Sequence, residues 1–233
     1  MKTNYMPASI VLGIFFVIGM YIFGRHILDA RKSAQYVSVK GLAEKEVKAD
    51  QGSWIIGASH ANNNIDLLKD NINDQLSKIR EWLAQKGFDD SEVKVAELSM
   101  LENIYGQAQA RYTANLQVSV STTKVDLLDR SSGEVNQLID RGVSLSGDRW
   151  LTRPRYFFTA INEIKPDLLA EATKAALRSA EEFAENSGAE VGGIKRASQG
   201  IISLIPSNRV NESEEFYRDK IARVVTSIDY YIE

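Results

Sequence analysis

The chain contains no cysteine. Disulfides, thiolate nucleophiles, thiolate-held zinc and iron–sulfur clusters are therefore excluded together. An exported chain of this composition has to hold its fold without covalent staples. Histidine is nearly as scarce, with His26 and His60 alone among 233 residues. Neither stands in an H-x-H or H-E-x-x-H spacing, so the sequence offers no imidazole metal site. No short repeat or low-complexity tract appears. A strong basic charge is also lacking. The net charge is -3, and most of the basic excess lies near the N-terminus, at Lys2, Arg25, Arg31 and Lys32 against Asp29. Removing those residues leaves a body of about -6. A nucleic-acid partner calls for a basic face and is not expected. No cofactor motif is found, and none is expected.

What is present begins with an uncharged run at residues 8–24, ASIVLGIFFVIGMYIFG. At about 1.5 Å per residue it makes roughly 25 Å of helix, the short end of what spans a bilayer. The spacing predicts one N-terminal transmembrane helix, with residues 1–35 as anchor and short linker. A cleaved signal peptide is the nearer alternative. The run ends in YIFGRHILDARKSA, with no A-x-A directly behind it and only a late candidate at Ser33-Ala34. A buried core helix fits less well, since a helix apolar all round rarely sits at a terminus. Counting basic residues at the two ends favours a cytoplasmic body.

Residues 36–233 read as an α+β body with antiparallel sheets and helices packed on one face, in the order ββ-α-ββ-α-ββ-α-ββ. Two subdomains, at about 36–124 and 125–233, are one possible division. Residues 37–54 suggest two short strands, with Gly41 permitting a turn or bulge between them. Ile65, Leu68, Ile72, Leu76, Ile79 and Leu83 recur at helical steps, so the periodicity predicts a helix over 65–86. One of Asn62, Asn63 and Asn64 would cap it, and Gly87 would end it. Strands follow near 91–101 and 111–123, then a helix over 125–140 stopped by Gly142. Residues 142–164 suggest another strand pair, with Pro154 at an edge or bulge. A long helix over 166–187 opens on Pro166 and closes at Gly188. Its stripe of Ala172, Ala176, Ala180 and Ala184, with Leu169 and Phe183, would let it lie close on a sheet. Residues 192–205 and 218–233 complete the strands, around an acidic, mobile loop at 206–215.

Two blocks carry a family likeness. VSVKGLAEKEVKAD resembles the opening of SIMPL-domain proteins, with Val39, Gly41, Ala43, Val47 and Asp50 at the motif positions. The stretch YFFTAINEIKPDLLAEATKAALRSAEEFAENSGAEVGGIKRASQG is similar to the family's strand, alanine-rich helix and small-residue turn. Pro166, Gly188 and Gly193 fall in this second block. The subgroup beginning VKGL, of membrane-anchored or periplasmic bacterial proteins, is the nearest in pattern. The resemblance spans residues 36–233. It implies a periplasmic body tethered to the inner membrane, against the charge count, and a homo-oligomer related to ring-forming surface antigens. It implies no known reaction.

The chain carries few residues in catalytic spacing. GVSLSG at 142–147 has the wrong spacing for a nucleophile elbow and follows a helix instead of a strand. The glycines of SGAEVGGIK also follow a helix, whereas a phosphate cradle precedes one. Gly188, Gly192 and Gly193 therefore read as cap and turn. His60 reads as a satisfied strand residue. The stretch DRWLTRPR is more informative. On a strand, Arg149, Leu151, Arg153 and Arg155 share one face. The three arginines could hold an anion, a lipid headgroup or a neighbouring subunit's carboxylate. A solvated edge whose charges deter strand pairing is the plainer alternative. The expected function is a non-enzymatic envelope scaffold or binding module that self-associates. An anionic small-molecule or lipid binder is the alternative, and an unrecognised hydrolase the lesser one.

Overall fold

The computed structural model describes residues 15–23, 35–103, 110–147 and 153–233. Residues 15–23 form a helix, α1. The rest of the apolar run falls outside the described residues. Among the described residues no helix is long and apolar enough to cross a membrane. The body is α+β, with two antiparallel sheets. Its elements are β1 (Tyr36–Lys48), β2 (Gln51–Asn62), α2 (Ile65–Lys86), β3 (Val93–Glu102), β4 (Tyr112–Thr122), α3 (Val125–Gly133), α4 (Gln137–Asp140), β5 (Arg155–Phe157), α5 (Ile161–Ser187), β6 (Val191–Gln199), β7 (Ser203–Pro206) and β8 (Asp219–Ile232). They divide into two compact units. The first is residues 1–44, 165–203 and 223–233; the second is 45–164 and 204–222. The units are interleaved along the chain and do not follow a cut near 124.

The second unit is built on the sheet β3-β4-β2-β5. Each neighbouring pair runs antiparallel, and Trp54 of β2 and Val93 of β3 both oppose Val120 of β4. The inward residues Trp54, Ile56, Ala58, Leu116, Val118 and Val120 are buried against Leu68, Ile72, Ile79, Trp82 and Leu83 of α2. Trp54 and Trp82 meet edge to face, with ring centroids 6.2 Å apart. The α2 boundaries follow from local chemistry. Asn64 Oδ1 accepts the Asp66 amide at 2.8 Å, and Gly87 closes the helix at φ 103. The helix expected at 125–140 is broken. α3 ends at Gly133, and a turn through Glu134–Asn136 leads into α4. The strand pair expected in 142–164 reduces, among the described residues, to β5 and an isolated bridge from Leu145 to Ala58.

The first unit contains the sheet portion β1-β8-β6; β7, which lies in the second unit but for Ser203, pairs with β8 as well. Its core is Val37, Ala176, Ala180, Ile228 and Tyr230, with Val39, Val191 and Ile232 at the margin. The alanine stripe of α5 is buried as expected at Ala172, Ala176, Ala180 and Ala184. Two companions differ: Leu168 is the buried leucine, and Phe183 is 53% exposed. α5 also starts earlier than expected, so Pro166 lies inside the helix, not at its opening.

The expected hairpin at residues 37–54 does not form. β1 runs unbroken through Gly41 to Lys48, and its partner is β8. Ile232 N–H donates to the Gln35 carbonyl and Ala49 N–H to the Arg218 carbonyl, which makes the pairing antiparallel. β2 belongs to the other sheet. The physical reason lies at Gly41. A Cβ there would stand 1.8 Å from the Ala172 carbonyl oxygen and 2.5 Å from the Ala176 nitrogen. The glycine admits a helix backbone against a strand and makes no turn. Gly192 and Gly193 likewise lie in β6, at an irregularity in its pairing with β8, and not in a turn.

Candidate functional site

The residues singled out by sequence fall into three places. The first is the β1 face opposite α5. Val37, Gly41 and Ala43 are buried there and Val39 half-buried, so the V-x-G-x-A spacing is one face of a strand. The second is the start of α5. Asp50 follows β1, and its carboxylate accepts the Thr159 amide at 2.9 Å and the Ala160 amide at 3.1 Å. It also accepts the Thr159 hydroxyl at 3.1 Å. Two orphan amides before a helix are thereby satisfied by a residue more than a hundred positions earlier. Val47 is half-buried in the same strand. Gly188, at φ 68, closes α5 as expected. Gly193 is exposed, with open space where a side chain would stand.

The third place is the β5 edge of the second unit. Arg149 and Leu151 lie outside the described residues. Arg155 begins β5, and Arg153 precedes it. Their partners come from the segment expected to be a mobile acidic loop. Arg153 Nη1 stands 3.8 Å from Glu212 Oε2, and Arg155 Nε stands 3.6 Å from Glu215 Oε2. The Arg153 guanidinium lies 4.3 Å from the Phe216 ring centroid. Glu212 also accepts the Tyr217 hydroxyl at 2.6 Å, which raises the tyrosine pKa. Glu214–Phe216 forms a 3-10 turn, and wholly buried Lys220 donates to both the carbonyl and the carboxylate of Glu214. The loop is thus pinned by a buried cation and lays its carboxylates along the arginine edge.

A neighbouring network was not foreseen. Buried Tyr156 donates to Asp129 at 2.7 Å. Burial, then the Asp129 carboxylate, pushes its pKa far up. Arg218 reaches Asp126 at 2.8 Å and Asp129 at 3.4 Å. Lys48, Thr123, Asp126, Arg218 and Asp219 line a polar depression here. Both signs of charge are present and Arg218 is already doubly paired, so the depression does not select an anion.

His60 sits between Asn71 Nδ2, at 3.0 Å from Nε2, and Gln75 Nε2, at 3.5 Å from Nδ1. A neutral imidazole cannot accept at both nitrogens. Turning the Gln75 amide presents its buried Oε1 to an Nδ1 proton, so that the ring accepts from Asn71 at Nε2 and donates to Gln75 at Nδ1. His60 is thereby a paired strand residue, as expected. Among the described residues no group of His, Cys, Asp and Glu could hold a metal. The GVSLSG stretch runs beside β2, where Ser59 N–H donates to Ser144 O and Ser146 N–H to Gly57 O.

The two edges of the second unit's sheet differ. β5 is covered by the acidic loop, whereas among the described residues β3 pairs only with β4. α2 lies over β2 and β4. Val95, Leu98 and Met100 oppose Val118, Leu116 and Ala114, all buried on the α2 side. Directly opposed residues share a face. Val95, Leu98 and Met100 therefore extend the core face outward, and they remain 39%, 51% and 39% exposed. A bulge at Ala96 keeps Val95 and Leu98 on one face although they are three positions apart.

Comparison with known families matches residues 37–224 to SIMPL, described as a protein of unknown function (DUF541). The chain belongs to the SIMPL family. No curated protein matches it. In this SIMPL chain the two motif positions with the clearest structural roles are Gly41, which admits α5, and Asp50, which caps it. Both act on the same helix.

Proposed function

We propose that this SIMPL chain is a non-enzymatic, self-associating module of the bacterial cell envelope. Residues 8–24 tether it to the inner membrane, and its body works in the periplasm as a scaffold or binding module. The uncovered β3 edge carries the reading. It presents unpaired backbone groups beside an apolar extension of the core, a combination that monomers blunt or cover. The uncharged N-terminal run supports the tether, and the family resemblance supports the compartment. Light scattering of the full chain in a mild detergent tests the proposal. The expected mass is a discrete multiple of the 26.0 kDa protomer. A protomer mass at all concentrations overturns it.

Anion binding at the β5 edge is the second reading. Its support is that the carboxylates beside Arg153 and Arg155 are loosely committed: Glu215 Oε2 stands 3.6 Å from Arg155 Nε, beyond hydrogen-bonding distance, and Glu212 is also engaged by the Tyr217 hydroxyl. An anion with better geometry could replace them. Native mass spectrometry of gently purified protein is expected to show a bound anion that Arg153→Ala loses, and its absence removes the reading.

A further inference from the structure

We propose that β3 pairs antiparallel with β3 of a second copy, about a two-fold axis through Leu98. The inference rests on the self-association reading above and supplies its interface. The Ala96 bulge divides the strand into two parts whose inward residues are Val95 on one side and Leu98 and Met100 on the other. Counting the bulge as one place, an axis at Leu98 sets Leu98 opposite its own copy. Val95 then meets the copy's Met100, and Met100 the copy's Val95. All these residues point to the α2 side. On the other face Glu97 meets Ser99 and Lys94 meets Leu101, so no like charges stand opposed.

Neighbouring registers fail on physical grounds. A slip of one place turns inward residues against outward ones, setting Leu98 against Glu97 or Ser99. A slip of two in one direction puts Glu97 opposite Glu97; in the other it shortens the paired length, breaks the Val95–Met100 pair and sets Glu102, which faces Val93 at the strand end in the proposed register, opposite Val95. The bulge, which looks like a defect of one strand, makes the strand complementary to itself. Pairing also satisfies the outward N–H and C=O groups of β3 and closes the exposed row between the two apolar faces. A second copy is therefore the occupant that this edge fits.

The chain has no cysteine, so any introduced thiol is unique. The test uses the full chain in membranes, with Leu98→Cys, Lys94→Cys, and co-expressed Val95→Cys and Met100→Cys copies. Each is treated with copper-phenanthroline or a short bis-maleimide and read on a non-reducing gel. Leu98→Cys is expected to cross-link to a dimer. Lys94→Cys, about 20 Å from its own copy at roughly 3.3 Å per place, is not. Val95→Cys and Met100→Cys are expected to cross-link only when expressed together. An oligomeric protein in which Leu98→Cys stays single overturns this interface and leaves self-association standing. A protomer mass overturns both. Equal cross-linking at Leu98 and Lys94 marks random collision and overturns the register, as does a cross-link to a different protein.

Discussion

Replacing Gly41 with alanine adds one methyl group at the place where β1 meets α5. The new Cβ would stand 1.8 Å from the Ala172 oxygen and 2.5 Å from the Ala176 nitrogen. Both are main-chain atoms of a helix and cannot rotate away. The strand and helix have to part by more than about 1 Å, which loosens the packing of Val37, Ala176 and Ala180. Overpacking of this kind costs about 1–3 kcal/mol, and a backbone obstruction belongs at the upper end. The lower entropy of the unfolded alanine chain returns less than about 1 kcal/mol. The net loss is about 2 kcal/mol or more, against a typical stability of ~5–15 kcal/mol. Urea denaturation followed by circular dichroism measures it. Gly133→Ala is the control, because that helical position has open space around it and is expected to gain up to ~1 kcal/mol. A Gly41→Ala midpoint within experimental error of the parent refutes the close-packing account.

Asp50→Ala removes a cap shared by the Thr159 and Ala160 amides and is expected to lower stability by about 1–2 kcal/mol, read from the urea midpoint. Lys220→Ala leaves the Glu214 carboxylate without its buried partner. It is expected to cost about 3 kcal/mol and to raise proteolysis in 206–216, whereas Lys220→Met loses less. At Glu92, burial favours the neutral acid, but hydrogen bonds from Thr122, the Asp89 amide and Lys124 outweigh it, so the pKa lies below the ordinary 4.5. A depressed carboxylate stabilises the fold above its unfolded pKa, and that contribution is lost as pH falls through the folded value. The stability difference between the parent and Glu92→Gln is therefore expected to be constant near neutral pH and to shrink below about pH 4.5 in acid titration.

The elements read best from sequence are those whose causes are local. α2 matches its expected range because its apolar period, its Asn64 cap and its Gly87 stop all lie within the same two dozen residues. The hairpin at residues 37–54 fails because the partner of β1 lies at the far end of the chain, and short-range pattern says nothing of that. Gly41 shows the ambiguity in one residue. A glycine in a strand marks either a turn or a close approach, and only the position of α5 decides. The arginines at 153 and 155 were legible as charge, but their carboxylates stand some sixty residues downstream. Asp50 was visible as a motif position, while its role depended on amides at 159 and 160. The β3 edge was legible as a strand. Its exposure was not, because only the structure shows that α2 covers two neighbouring strands and stops short of it.

The central claim is that this SIMPL chain associates with itself through β3. The most direct measurement is the solution mass of the full chain, parent and Leu98→Lys, by light scattering in the same mild detergent. The account predicts a discrete multiple of 26.0 kDa for the parent and a fall to lower mass for the variant, with unchanged circular dichroism. A parent that stays at the protomer mass, or a variant that keeps the parent's mass, contradicts it.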